Sequence, residues 1–499
     1  MPLSCSAHIA RILHRSRFIT SRAALRRLFA LWAFSIAAMP AWADVVVNND
    51  IGATGTSGFT QSGASTLVFG STVLVAFNDT GSFAASNNQF TSYARSTDGG
   101  LTFTDLGRLP INPLGDAGFA HLARHDASAT VYSTALAFTT GNIQLFRSTD
   151  GGITFAPPIN AAPGVTGANF NAIAVDNAVG VGNGNIYVAS EDPSGLRLAR
   201  STDGGFTFAP SIVLTGTAPA GRGPSIAVAP NHRVTVAYLE NGATGPATAP
   251  VIRARSSTDN GLTFGAPVAV ATLTGTRQNG DLELNGARGG LVGRLPFRTN
   301  TFPQIVANPV TGQLYMTYAA RGLGADKANI LLRTSSDGGA TWSPEQRINS
   351  DAGTNDQWQP TLTVTPNGNH VGIFWYDRRN DSANNLIEYY GRQCDISGHA
   401  LSCGTDFAVS DQAFLPEFGR DSFISPTFMG DYDNADSDDN FFYVSWGDNR
   451  ELLAGGDGRM NPNVVFDRIA IGVVPEPTSL TLFGVGAALV LWRCRRRKV

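Results

Sequence analysis

The chain has 499 residues, of which 42% are hydrophobic and 15% are charged, and it contains 55 glycines and 26 prolines. This length is enough for several cores or for one large repeating core. The lack of a heptad-rich segment argues against a coiled coil, and a mean hydropathy of −0.04 argues against a polytopic membrane protein.

The charges are distributed unevenly along the chain. All 39 acidic residues lie in 44–477, which holds only 25 of the 36 basic residues, so this part has a net charge of −14. The remaining basic residues flank it on both sides. Because an acidic body repels phosphate backbones, the sequence predicts no nucleic-acid partner.

The first 43 residues have the pattern of a secretory signal. Six arginines and no acidic residue precede an apolar run from Leu28 to Met39, and Ala41-Trp42-Ala43 follows. A basic region, an apolar region and a small-residue site predict a signal peptide over 1–43 that is cleaved after Ala43. General secretion is favoured over the twin-arginine route. An uncleaved anchor is the alternative, although the run is short for a membrane span.

The last 27 residues have a second three-part pattern. Pro475-Glu476-Pro477 is followed by an apolar run over 480–492 and by a basic tail over 493–498. This segment, 473–499, resembles the PEP-CTERM sorting signal of Gram-negative bacteria, which exosortases recognise. The resemblance implies secretion machinery and an exosortase as partners. It also implies a precursor held in the inner membrane by the apolar helix, and then a place at the cell surface or in the extracellular matrix. A retained tail anchor is the alternative.

Two cysteines remain between the two terminal segments. Cys394 and Cys403 are close in sequence, and in an oxidising compartment they could close a small loop by a disulfide. Two free thiols are the alternative.

The body of the chain repeats one short pattern five times. Each copy reads Ser-(Thr/Ser)-Asp-(Gly/Asn)-Gly-x-Thr-(Phe/Trp), and successive aspartates are 52, 53, 56 and 78 residues apart. The five aspartates are Asp98, Asp150, Asp203, Asp259 and Asp337. The pattern resembles the Asp-box, or BNR repeat, of sialidases and related β-propellers. We expect these aspartates to accept backbone hydrogen bonds in a tight turn and to be structural, not catalytic.

The repeat predicts the fold class, an all-β propeller over 44–472. Two β-rich runs precede each box and a third enters it, which is the strand content of a four-stranded blade. Units without a box at 358–410 and 414–471 raise the number of blades to seven, and six blades, as in sialidases, are the alternative. The segment Val45-Val46-Val47 is expected to complete the last blade and so to close the ring.

The predicted binding site lies on the face opposite the boxes, where the second strand of each blade ends. The fifth, sixth and seventh blades offer the aromatic, acidic and basic side chains that hold sugars and carboxylated ligands. The candidate ligand-binding residues are Arg321, Asp377, Arg378, Arg379, Trp446, Asp448 and Arg450. Solvated charges that pair with each other are the alternative.

The long interval between the fourth and fifth boxes places extra residues near 273–300 on the same face. This segment is long enough to be a lid or a disordered insertion.

An acidic stretch near the end of the body contains Asp431, Asp433, Asp436 and Asp438. Its oxygens make it a weak candidate for Ca²⁺, although it lacks the spacing of a calcium loop. Otherwise no metal or cofactor is predicted, and a solvated acidic loop is the alternative.

The resemblance to sialidases fails at one point. Those enzymes place an arginine for the substrate carboxylate ahead of the first box, whereas residues 44–94 contain no arginine. The sequence therefore favours a surface protein that binds glycans or other surface ligands, and a matrix scaffold fits equally well. An exo-sialidase-like glycoside hydrolase remains the alternative, with Tyr390 and Glu388 as the available Tyr/Glu pair.

Overall fold

The computed structural model describes residues 44–50, 58–86, 88–217, 221–241, 249–274, 276, 280–288, 291–321, 326–416, 421–425, 427–452 and 460–472. The predicted signal peptide and the sorting segment lie outside the described residues. In the described residues no helix is long and apolar enough to cross a membrane.

The described strands form seven antiparallel blades and one additional hairpin. Blade one contains β2 to β5 (Gln61–Phe69, Thr72–Asp79, Thr91–Ser96, Thr104–Arg108), with the short helix α1 (Thr80–Ser86) after its second strand. Blade two contains β6 to β9 (His121–His125, Thr130–Leu136, Ile143–Ser148, Ile159–Asn160). Blade three contains β10 to β13 (Phe170–Val175, Ile186–Asp192, Gly195–Ser201, Ile212–Val213). Blade four contains β14 to β17 (Gly221–Val228, Val234–Glu240, Val251–Ser257, Val268–Thr272).

The second half of the ring continues after the hairpin, which is formed by β18 and β19 (Asn285–Arg288, Leu291–Pro296). Blade five contains β20 to β23 (Gln304–Ala307, Leu314–Ala320, Asn329–Ser335, Gln346–Arg347). Blade six contains β24 to β28 (Gln357–Val364, His370–Asp377, Glu388–Ser397, Ala400–Cys403, Phe407–Ala408). Blade seven contains β29 to β31 (Asp436–Ser437, Phe441–Leu452, Met460–Ala470) and β1 (Val45–Val46).

The blades surround one axis. The first strand of each blade contacts the first strand of the next, from β2 through β29 and back to β2. The second strands β7, β11 and β21 are buried along their whole length, because each lies in a sheet that is covered on both faces by neighbouring blades. Such strands are rich in Val, Tyr, Ile and Ala without strict alternation, as burial on both faces requires.

The N-terminal strand closes the ring, as the sequence predicts. Val45 pairs with Phe466 and Val46 with Val465, so β1 is the outermost strand of blade seven. The backbone N–H of Val47 extends the pairing with a hydrogen bond of 2.9 Å to the carbonyl oxygen of Val464. The prediction of seven blades is confirmed, and the six-bladed alternative is wrong because all seven units form their own sheets.

Each repeated box forms the turn between the third and fourth strands of its blade. We call the face that carries these turns the box face, and the other the opposite face. In the fourth box, Asp259 accepts hydrogen bonds from the backbone N–H of Thr263 (2.9 Å) and from its hydroxyl (2.5 Å). These two bonds hold the pKa of the Asp259 carboxyl at about 2. The corresponding bonds recur at Asp98, Asp150, Asp203 and Asp337.

The boxes also join neighbouring blades. The carbonyl oxygen of the residue after each aspartate accepts a hydrogen bond from a side chain of the preceding blade. The five donors and acceptors are Arg468 to Gly99 (3.2 Å), Arg95 to Gly151 (3.0 Å), Tyr132 to Gly204 (3.2 Å), Arg200 to Asn260 (2.9 Å) and Ser256 to Gly338 (2.9 Å). The turn therefore stabilises the contact between blades as well as its own hairpin.

Candidate functional site

The end of the second strand of blade six carries a closed hydrogen-bond network. Asp377 accepts a hydrogen bond from the indole Nε1 of Trp375 (2.8 Å) and pairs with the Arg379 guanidinium (2.6 Å). The backbone N–H of Arg379 also donates to this carboxylate (2.7 Å). A second carboxylate, Asp406, lies 2.8 Å from the same guanidinium. The charge of Arg379 is thus balanced within the blade.

Blade seven repeats this arrangement with the same spacing, Trp-x-Asp-x-Arg. Asp448 accepts from Nε1 of Trp446 (3.1 Å) and pairs with Arg450 (2.7 Å). Arg450 also pairs with Asp44 (2.6 Å) and Asp411. Because Asp44 directly precedes the closing strand, this network ties the two ends of the ring together.

The burial of these residues changes their predicted role. The Trp446 ring is 0% exposed and stacks on Tyr389 with a centroid distance of 4.8 Å, so neither of its faces is free to stack on a sugar. The carboxylates of Asp377 and Asp448 are equally enclosed. The expectation that these groups line a surface site is therefore corrected, since their side chains satisfy each other inside the blades. Arg321 is exposed at the end of β21.

Arg378 differs from both of its neighbours in the motif. Its side chain is buried at 1% exposure, and burial lowers the pKa of its guanidinium to about 10. The guanidinium carbon lies 4.9 Å from the ring centre of Trp358 and 5.6 Å from that of Phe297. Within the described residues none of its three nitrogens has a hydrogen-bond acceptor.

Phe297 comes from the long connection between blades four and five. With Leu282 and Leu284 it packs into the core of blades five and six. The connection, expected as a lid or a disordered insertion, contains the β18–β19 hairpin, and the three side chains named above anchor it to the core on both sides of that hairpin.

The acidic stretch runs through the centre of the ring instead of forming an exposed calcium loop. Asp431 is paired with Arg298 (2.5 Å), and Asp433 accepts from the amide of Gln359 (2.9 Å). Asp436 accepts from the backbone N–H of Val68 (2.7 Å), and Asp438 from the Tyr443 hydroxyl (2.8 Å).

Burial raises the pKa of the Asp431 carboxyl to about 6 and those of Asp433 and Asp436 to about 7. In the described residues no group of three or more His, Cys, Asp or Glu side chains is placed to hold a metal ion. The calcium interpretation is therefore corrected, because each carboxylate serves a different partner.

Carboxylates at the ends of other second strands are also paired within the protein. Glu191 bonds to Arg222 (2.9 Å), Asp192 to Arg197 (3.0 Å) and Glu240 to Arg253 (2.7 Å).

Glu388 does not accept a hydrogen bond from the Tyr390 hydroxyl, so the pair is not arranged to activate the tyrosine as a nucleophile. The amide nitrogen of Asn380 lies between them, 2.8 Å from the Tyr390 hydroxyl and 2.6 Å from the Glu388 carboxylate. Burial raises the pKa of the Tyr390 phenol to about 12, which disfavours the phenolate.

A polar groove of about 250 Å³ lies on the opposite face beside blade six. Its walls come from four connections, and they present amide, carboxylate, ammonium and hydroxyl groups. The lining side chains are Asn285, Asp326, Lys327, Thr354, Asp356, Ala383, Asn384 and Asn385. In the described part of the chain, the Oδ1 atom of the buried Asp326 has no hydrogen-bond donor. Sequence reasoning missed this groove, although Lys327 is the only lysine in 44–477 and was the available signal.

A larger cavity of about 720 Å³ opens on the box face near the axis. Phe69, Arg124, Asp126 and Asn177 contribute to its lining, with the ends of the first strands. Arg124 pairs with Asp126 there. This cavity lies on the other side of the ring from the predicted site.

Cys394 and Cys403 form a disulfide between β26 and β27, where the two residues are direct strand partners.

One family model matches a short segment of the chain. The model of the PEP-CTERM protein-sorting motif matches residues 473–497. No curated protein matched the sequence.

Several solved structures are similar to the chain at low sequence identity. An α-L-arabinofuranosidase from Fusarium graminearum has 15% identity and a TM-score of 0.45 over 70% of this chain and 96% of that one. The phage phi92 endosialidase has 14% identity and a TM-score of 0.43 over 87% and 70%. An ulvan lyase has 11% identity and a TM-score of 0.46 over 85% and 94%. None of these matches assigns a role to a residue of this chain. The chain thus consists of a seven-bladed β-propeller followed in sequence by a PEP-CTERM sorting motif, which indicates an exported protein that is sorted by an exosortase.

Proposed function

We propose that this protein is a cell-surface or extracellular-matrix protein whose propeller binds a glycan on the face opposite the Asp boxes. The observation that carries the proposal is the groove beside blade six. Its lining offers both hydrogen-bond donors and acceptors around a space of about 250 Å³, somewhat smaller than the usual pocket for a drug-sized ligand and so suited to a single sugar unit. A polyhydroxylated ligand satisfies such a surface better than an apolar one does.

The groups of the groove are held in place by the blades. The Asp356 carboxylate accepts from the backbone N–H of Lys327 (2.8 Å) and from the Asn384 amide (2.7 Å). The Lys327 ammonium donates to the carbonyl oxygen of Glu283 (2.9 Å). Four separate connections are thereby fixed around the groove, and such preorganisation favours binding.

A glycan array probed with the purified protein tests this function. We expect retention on polysaccharide ligands, lost in Asn385→Ala and in Lys327→Ala. The matched control is Asn231→Ala, an exposed asparagine in a turn on the box face, which retains binding. Equal binding by all three variants, or no binding by the wild type, would count against the proposal.

The hydrolase alternative is tested in the same samples with a fluorogenic sialoside and with soluble arabinan. The Asn380-bridged Tyr390 and the internally paired Arg379 and Arg450 lead us to expect no turnover. If the wild type turns over either substrate and Tyr390→Phe abolishes that activity, the function is catalysis and not binding alone.

Export and processing are measured separately, because they depend on the two termini and not on the groove. Intact-mass analysis of the native protein is expected to find neither residues 1–43 nor the segment after Pro475-Glu476-Pro477. Recovery of the full-length chain from the surface fraction would contradict this expectation.

A further inference from the structure

Arg378 is an anomaly among the buried charges of the propeller. It is 1% exposed, and within the described residues its Nε, Nη1 and Nη2 atoms have no acceptor. The next residue, Arg379, has two carboxylate partners. A buried guanidinium without hydrogen bonds loses the hydration of the unfolded state and gains no hydrogen bond within the protein to replace it.

A second unsatisfied donor lies beside it. The indole Nε1 of Trp358 is buried and has no acceptor in the described residues, whereas the indoles of Trp375 and Trp446 both donate to aspartates. The guanidinium carbon of Arg378 is 4.9 Å from the Trp358 ring centre. One neighbourhood therefore contains four buried donor atoms.

Two nearby carboxylates do not satisfy these donors. Asp356 and Asp381 attract the Arg378 charge through space. Their oxygens are already bonded elsewhere, Asp356 to Lys327 and Asn384, and Asp381 to the backbone of the turn that follows it. They offset part of the charge but leave the hydrogen-bonding capacity of the guanidinium unused.

We propose that Arg378 and Trp358 form a binding site for a small monovalent anion of the size of chloride. A chloride ion accepts hydrogen bonds and has no hydrogen of its own that needs an acceptor. It therefore matches a site where only donors are unsatisfied. Water fits less well, because its own two hydrogens would need acceptors in the same place.

The surroundings set the size of the ligand. Phe297 and Trp358 lie next to each other against the guanidinium, with their ring centres 5.8 Å apart, and Leu282 and Leu284 belong to the same buried core. A carboxylate on a polymer does not reach this position while the connection stays packed. The anion site is therefore distinct from the glycan groove. A test of the anion site can succeed or fail whatever the outcome of the test for glycan binding.

The test measures stability against anion concentration. The purified full-length protein is unfolded in urea and refolded in gluconate buffer, and its Tm is followed while chloride replaces gluconate at constant ionic strength. We expect a saturable rise in Tm of about 2–5 °C. The rise should disappear in Arg378→Met, which keeps the length of the side chain but none of its donors.

The matched control is Arg379→Met at the adjacent position. It loses the pairs with Asp377 and Asp406 and is less stable, but it retains the chloride-dependent rise in Tm. Trp358→Phe, which retains an aromatic ring without the N–H, should need at least about threefold more chloride for half of the effect.

Crystals of protein refolded in bromide provide a direct measurement that does not depend on the variants. An anomalous peak within hydrogen-bonding distance of the Arg378 guanidinium supports the site. A Tm that is independent of chloride in the wild type, or an anomalous map without a peak at Arg378, overturns it.

Discussion

Gly100 lies so close to Phe466 that a β-carbon on the glycine would be 2.2 Å from the ring carbon Cε1. Gly100 is the second glycine of the first repeated box, and Phe466 belongs to β31 in blade seven. The glycine also has a φ of +87°, which other residues rarely adopt. Two independent constraints thus require glycine where the first and last blades meet.

Replacing this glycine should show the two constraints separately. Gly100→Ala is expected to lower the free energy of unfolding by about 2–4 kcal/mol, since it adds a clash with an aromatic ring to the strain of positive φ. Gly107 is the control, because its φ is +76° and nothing lies within 4 Å of a β-carbon there. Gly107→Ala should cost about 1 kcal/mol. Equal losses in urea unfolding would show that the contact with Phe466 contributes nothing.

The Trp-Asp-Arg network of blade six is expected to contribute to stability. Asp377→Asn keeps the shape of the side chain but removes the buried charge opposite Arg379, and should cost about 2–3 kcal/mol while Asp406 still pairs with the arginine. Asp395, whose side chain is 74% exposed in its pair with His370, provides the comparison. Asp395→Asn should cost less than about 1 kcal/mol. A similar loss for both variants in urea unfolding would contradict a special role for the network.

The architecture was predictable from the sequence because a propeller repeats local information. The repeated box specifies a turn through hydrogen bonds that span four residues, such as Asp259 to Thr263, so each copy marks the same place in its blade. The closing strand could also be foreseen, since three consecutive valines ahead of the first blade need a partner. Blades without a box were found by strand spacing alone.

The site was less predictable because its geometry depends on contacts between distant segments. The spacing Trp-x-Asp-x-Arg is visible in two places, but only burial distinguishes an internal network from a surface one. Asp431 meets Arg298, 133 positions away, and Asp433 meets Gln359, 74 positions away. The acidic pattern, judged locally, therefore predicted an exposed loop. In the structure this segment instead crosses the centre of the ring, where its carboxylates are paired with distant residues.

The buried carboxyls should make stability depend on pH. Burial raises the pKa of Asp433 from its ordinary value of 3.8 to about 7, so the folded state retains a proton that the unfolded state has lost. The stabilisation is fully present below pH 4 and is lost as the pH rises to about 7. Asp433→Asn cannot ionise, and its stability relative to wild type should therefore be higher at pH 8 than at pH 5, by on the order of 2 kcal/mol.

Thermal unfolding at the two pH values measures this difference. Asp439→Asn, at an exposed position near the end of the same stretch, is the control and should follow the wild type. If Asp433→Asn shows the same dependence on pH as the wild type, the carboxyl does not carry a proton in the folded state.

Closure of the ring by β1 should contribute more than the burial of its side chains. Deletion of residues 44–48 removes the pairing with β31, the buried Val47 and the ion pair of Asp44 with Arg450. It also exposes the edge of β31, which can then pair with another molecule.

Val47→Ser keeps the backbone pairing and should lower the free energy of unfolding by about 2 kcal/mol. The deletion should lower it clearly more and produce dimers. A synthetic peptide of residues 44–50 should restore stability by occupying the vacant edge. Gel filtration and urea unfolding measure both effects, and a monomeric deletion variant no less stable than Val47→Ser would show that β1 is not needed to close the propeller.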